Sequence, residues 1–85
     1  MLHVNLNIIM EEKVIKLVLD YIKSTGIIIN KDNVFIVWSC YILGNRKYLV
    51  GLNCTNTYFE VTYSANKQEW YIDEYSKINN ICIKD

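Results

Sequence analysis

The chain has 85 residues, with nine acidic and nine basic side chains and no proline. This length suits one domain and excludes two. A formal net charge of zero argues against a nucleic-acid partner, because basic side chains supply most of the affinity for phosphate backbones. No apolar run reaches the length of a membrane-spanning helix, which argues against a membrane partner.

The first nine residues allow two interpretations. Residues 2–9 alternate apolar and polar side chains, which is typical of a short strand. Alternatively, Met10 begins a conventional protein start, Met-Glu-Glu-Lys, and residues 1–9 are an extension outside the main fold. The N-terminus also lacks the basic start and long apolar stretch of a signal peptide. We therefore expect a single α+β domain over residues 10–85 and a cytoplasmic location.

Residues 10–25 are predicted to form a helix. One apolar stripe recurs at helical spacing and contains Met10, Val14, Leu17, Val18 and Tyr21. Glu11 and Glu12 would then lie in the first turn, where the helix dipole favours acids. Gly26 is a natural stop, because glycine readily adopts the left-handed conformation that ends many helices.

Residues 34–43 and 46–54 are predicted to form a hairpin that turns at Gly44-Asn45. That register pairs Tyr41 with Tyr48 and Val37 with Leu52. On the other face it places Trp38 opposite Gly51, where an aromatic ring would cover the glycine backbone. Both faces of this hairpin are apolar, so we expect it near the centre of the sheet.

Residues 57–64 and 69–76 are predicted to form a second hairpin around the four-residue loop 65–68. Its polar and aromatic face pairs Tyr58 with Tyr75, Glu60 with Asp73 and Thr62 with Tyr71, as expected for a face in contact with solvent. Residues 78–83 end in Ile-Cys-Ile and are predicted to form a short final strand.

The order of these elements predicts an α+β fold, with one N-terminal helix packed on an antiparallel β-meander of about four strands. The helix is expected to cover one sheet face. That predicted core face consists of Phe35, Val37, Tyr41, Leu52, Val61 and Ile72. The substitution Val37→Asp is accordingly expected to unfold the domain.

The sequence offers little material for catalysis or metal binding. The three cysteines, Cys40, Cys54 and Cys82, show no C-x-x-C spacing, and His3 is the single histidine. An odd number of cysteines fits reduced thiols. No phosphate-binding loop, nucleophile elbow or zinc-protease motif occurs. We expect a protein that is not an enzyme, with no metal and no cofactor.

Aromatic side chains are the most informative feature. Seven tyrosines and two tryptophans are more than a thin core can bury, and such residues are enriched where proteins bind partners. The candidate binding surface consists of Trp38, Tyr58, Tyr71 and Tyr75. Glu60 and Asp73 form a candidate acidic pair that would bind a cation. Alternatively, they are an ordinary solvated pair, and Lys47, Lys67 or Lys77 reduces the repulsion between the two carboxylates.

Several segments resemble a known family. They are Val34-Phe35-Ile36-Val37-Trp38-Ser39-Cys40, Leu43-Gly44-Asn45 with Lys47, Tyr58-Phe59-Glu60-Val61-Thr62-Tyr63, and Tyr71-Ile72-Asp73 with Tyr75. Over residues 10–83 the chain resembles a family of small uncharacterised proteins encoded by phages and prophages of Gram-positive bacteria. It departs from that family at Tyr41, where lysine is usual, and in residues 1–9. The resemblance implies a phage or mobile-element origin and the cytoplasm of an infected cell, but no activity.

Two functions are compatible with these features. The favoured one is a non-enzymatic phage accessory protein that binds a host or phage protein, for example as an inhibitor of a bacterial antiviral defence such as a CRISPR effector. The alternative is a module for nucleotides or single-stranded nucleic acid, which would stack bases on Tyr58, Tyr71 and Tyr75. The neutral charge and two-faced hairpin also suggest a homodimer through edge strands or residues 1–9.

Overall fold

A computed structural model of the protein describes residues 6–85. Its elements are helix α1 (Leu6–Ser24), a 3-10 turn (Lys31–Asn33), and strands β1 (Val34–Ile42), β2 (Asn45–Leu52), β3 (Thr57–Ser64) and β4 (Glu69–Ser76). The four strands form one antiparallel sheet in the order β1-β2-β3-β4. The predicted α+β meander with a single N-terminal helix is confirmed.

Helix α1 packs through the apolar stripe that its sequence predicts. Val14, Val18 and Ile22 are buried against the sheet. The helix ends where expected, since Gly26 adopts a positive φ of 90° and its N–H donates to the carbonyl of Lys23. Its start differs from the prediction, because α1 begins at Leu6 and the first turn contains no acidic residue. Residues 6–9 are therefore helical rather than a strand, and residues 1–5 lie outside the described residues.

The second hairpin, β3–β4, has the predicted register. Tyr58 pairs with Tyr75, Glu60 with Asp73 and Thr62 with Tyr71, and the loop is residues 65–68. The alternation of large apolar and polar side chains along both strands fixes this register, because a slip of one residue would turn every side chain to the wrong face.

The first hairpin, β1–β2, has a different register from the predicted one. The turn lies at Leu43-Gly44, and both residues have positive φ, 50° and 80°, as a tight two-residue hairpin turn requires. Tyr41 consequently pairs with Arg46 rather than with Tyr48. A second change of register occurs between Ile36 and Trp38, so the strand bulges at Val37.

The bulge reverses the facing of the first residues of β1. Val34 is buried and Ile36 packs against the core, whereas Phe35 turns to the opposite face and pairs with Gly51. Phe35 rather than Trp38 therefore lies across from the glycine. Val37 is 52 % exposed, so the predicted core position is wrong and Val37→Asp is no longer expected to unfold the domain.

The core lies between α1 and one face of β1–β4. Its buried apolar residues are Val14, Val18, Ile22, Val34, Tyr48, Val50, Leu52, Phe59 and Val61. Of the predicted core face, Leu52 and Val61 are buried and Ile72 packs against them. Tyr41 is exposed, with the Arg46 guanidinium 5.9 Å from its ring centre. Residues 78–83 form no strand within the described chain.

Candidate interaction face of the sheet

The fold covers one face of the sheet with α1 and leaves the other uncovered. Strand pairing arranges the uncovered face in cross-strand rows, and we call three of these rows together the open face. The rows are Phe35-Gly51-Tyr58-Tyr75, Trp38-Leu49-Glu60-Asp73 and Cys40-Lys47-Thr62-Tyr71. Side chains of alternate residues point to the same side of a strand, so these twelve residues share one surface.

The open face brings together the six residues that the sequence singled out. Trp38, Tyr58, Tyr71 and Tyr75 are all exposed there, and Glu60 and Asp73 pair directly across β3 and β4. Sequence reasoning missed Phe35, which it placed in the core. The signal that would have found it is the bulge at Val37, and no glycine or proline in β1 marks that bulge.

One row of the open face is almost entirely aromatic. The rings of Tyr58 and Tyr75 stack with centres 5.2 Å apart and planes inclined by 14°. Beside them the ring of Phe35 lies over Gly51, so close that a Cβ at position 51 would approach its tip to 2.6 Å. The glycine thus makes room for the ring, and the row presents three aromatic rings on one surface.

An ion pair crosses the centre of the open face. The Nζ of Lys47 donates to Oε1 of Glu60 at 2.7 Å, with both side chains about one-third exposed. This hydrogen bond raises the pKa of Lys47, and the negative charges of Glu60 and Asp73 act in the same direction. Lys47 thereby relieves the repulsion between the two acids, so the ordinary interpretation of the acidic pair fits the geometry. Within residues 6–85, no three acidic, cysteine or histidine side chains come together as a metal site.

Tyr71 lies at the end of the open face nearest the 65–68 loop. Its hydroxyl donates to a carboxylate oxygen of Glu69, and this bond raises the pKa of Tyr71. The ring lies beside a cleft of about 820 Å³, which is also lined by Asn45, Thr62 and Asp73. The lining of the cleft contains both polar and aromatic side chains, which suits a partner side chain with both kinds of atom.

One lysine lies within the open face and two lie at its ends. Lys47 is the basic residue of the three rows, and it is paired with Glu60. Lys67, in the 65–68 loop, lines the cleft beside Tyr71, and Lys77, which follows the last residue of β4, lines a second cleft beside Tyr58. The three rows themselves carry two carboxylates for one ammonium group, whereas a surface that binds phosphates needs the opposite balance.

The cysteines are exposed and free at Cys40, Cys54 and Cys82. A reactive cysteine needs a neighbouring base or a strongly positive environment. His3, the candidate base, lies outside the described residues. No helix of residues 6–85 combines the length and apolar character needed to cross a membrane.

These features define a small α+β protein that presents an aromatic sheet face opposite a single helix. The sequence model of a family of unknown function (DUF6275) matches residues 11–85, and the chain belongs to this family. The expected resemblance to an uncharacterised family is confirmed at that level. No curated protein and no solved structure gives a significant match.

Proposed function

We propose that this protein is a non-enzymatic binding module that holds a partner protein against the open face. One observation carries the proposal: five aromatic rings, of Phe35, Trp38, Tyr58, Tyr71 and Tyr75, lie exposed on one uncovered sheet face. Aromatic side chains contribute large contact areas at a small cost in conformational entropy, and they dominate the energetics of protein interfaces.

The charge of the face favours a protein over a nucleic acid. Base stacking on the tyrosines would bring phosphates close to Glu60 and Asp73, whose carboxylates repel them. Lys47 offers little compensation, because it already donates to Glu60. A protein partner, in contrast, supplies apolar side chains for the rings and amide or basic groups for the two acids.

The kind of partner is suggested by the resemblance of the sequence to phage-encoded proteins. It suggests a host or phage protein in the cytoplasm of an infected bacterium, and inhibition of an antiviral defence, such as a CRISPR effector, is a role of this kind. This step depends on the resemblance alone, whereas the binding face depends on the geometry.

Affinity capture from a bacterial lysate, with and without nuclease, tests the proposal. The bait is the full chain, and the test variant changes Trp38, Tyr58 and Tyr71 together to Ala. We expect one protein to be captured by the wild type regardless of nuclease and lost with the variant. Trp38→Ala alone is expected to weaken affinity by about 30-fold, the effect of losing one interface hot spot.

Ile9→Ala is the matched control. The Ile9 side chain is exposed to nearly the same extent as that of Trp38, but it lies on α1, which packs on the sheet face opposite the open one. Melting curves of all variants must match the wild type. Capture of only RNA, DNA or nucleotides, lost on nuclease treatment or at high salt, would replace the proposal by the nucleic-acid alternative. Equal losses of affinity with Ile9→Ala and Trp38→Ala would remove the open face as the site.

A further inference from the structure

The two edges of the sheet differ in how they are protected from pairing. Edge strand β4 carries Glu69, Asp73 and Glu74, and charges of this kind discourage pairing with another strand. Edge strand β1 has nine residues and no charged side chain or proline. The bulge at Val37 interrupts this edge, which leaves residues 38–42 as a continuous segment with unpaired backbone groups along its outer side.

The C-terminal tail is a strand sequence without a strand partner. It exposes Ile78, Ile81 and Ile83, at 95 %, 71 % and 87 % respectively. Within residues 6–85, the backbone N–H groups of 78–83 make one hydrogen bond, from Asn80 to the side chain of the adjacent Asn79.

We infer that residues 78–83 add as a fifth strand to residues 38–42 of β1 in a second copy of this chain, and that two copies exchange tails reciprocally. The donor and the acceptor have similar lengths, and neither carries a charge. The tail also lies within the segment that defines the family, residues 11–85. Strand addition to an exposed edge is a common mode of association, in which backbone hydrogen bonds supply the affinity.

Chain length decides against pairing of the tail with β1 of its own molecule. The tail leaves from β4, and the outer side of β1 lies four strand spacings away, or about 19 Å. Crossing that distance takes roughly six extended residues, which uses up residues 77–82 and leaves almost none of the segment 78–83 to pair. Between two copies the tail approaches β1 directly, and all of residues 78–83 can pair.

Proline variants of the full chain test the inference. Alternate residues of a paired strand direct their N–H groups to the same neighbour, so one of Ile81→Pro and Cys82→Pro must remove a hydrogen bond to the acceptor. That variant is expected to weaken the dimer by about tenfold or more. Lys84→Pro, beyond the paired segment of the same tail, is the control and should leave the dimer unchanged. Sedimentation equilibrium at micromolar concentration measures all three.

The acceptor edge is tested in the same way. One of Ser39→Pro and Cys40→Pro removes an N–H that points away from β2, and this variant keeps the wild-type melting curve. The effective tail variant and the effective edge variant should each dimerise at least about tenfold more weakly alone, while a mixture of the two should form a heterodimer, because one tail and one edge remain intact. A monomeric wild type, a dimer insensitive to the tail prolines, or no heterodimer in the mixture would each overturn the inference.

Discussion

At the scale of single residues, the contact between Phe35 and Gly51 joins strands β1 and β2 on the open face. The ring lies where a Cβ at position 51 would stand, 2.6 Å from its tip and 2.8 Å from the neighbouring carbon. Gly51 has no positive φ, so its backbone imposes no need for glycine. The space taken by the Phe35 ring is therefore the reason that glycine suits this position.

A double-mutant cycle tests this explanation. Gly51→Ala in the wild type should displace the Phe35 ring and destabilise the fold by about 1 kcal/mol, the lower range for inserting a methyl group into an occupied site. In the Phe35→Ala background the same substitution should stabilise by about 0.5 kcal/mol, because alanine loses less chain entropy on folding than glycine. Urea unfolding measures both, and an identical effect in the two backgrounds would disprove the contact.

At the scale of elements, strand β1 is divided by its bulge into parts with opposite relations to the core. Val37 is 52 % exposed, whereas Val50, on the adjacent strand, is fully buried. Val37→Asp should change the free energy of unfolding by less than about 1 kcal/mol, since an exposed substitution leaves its charge in water. Val50→Asp should abolish folding, because it buries an unpaired charge in the core. Thermal denaturation followed by circular dichroism compares them, and loss of folding in Val37→Asp would place that residue in the core after all.

The two hairpins show which parts of the sheet the sequence can predict. The β3–β4 hairpin was predicted with its register because alternation along both strands and a polar four-residue loop agree. In β1–β2 the turn at Leu43-Gly44 requires a positive φ from leucine, an uncommon conformation that no propensity signals. The register consequently shifts by two residues. Because side chains alternate between the two sheet faces, a shift of two leaves Trp38 on the face that the sequence predicts. For the residues before Trp38, the bulge exchanges the two sheet faces. Simple alternation along β1 therefore places Phe35 in the core, whereas the structure exposes it.

At the scale of the whole molecule, the distribution of charge separates two functions that the aromatic face alone would allow. Exposed tyrosines on an antiparallel sheet suit bases as well as protein side chains. The formal net charge is zero, and the open face has two carboxylates beside one paired ammonium group. We propose that charge, rather than a lack of stacking surface, disfavours nucleic acid on this face.

The last prediction follows from that inference. The wild-type protein should bind a fluorescent single-stranded oligothymidine no more tightly than about 100 μM, the weak end of non-specific binding. The double variant Glu60→Lys and Asp73→Lys places basic side chains beside Tyr58 and Tyr75 and should bind at least about tenfold more tightly at low salt, with an affinity that falls steeply as salt increases. Substitution of Glu11 and Glu12, on α1, by lysine provides the charge-matched control. Its affinity should increase much less, because no aromatic row lies beside these two residues. Fluorescence anisotropy across a salt series measures all three proteins. Tight binding by the wild type would contradict the assignment of the open face to a protein partner, and equal gains in the two variants would show that the aromatic rows contribute no stacking.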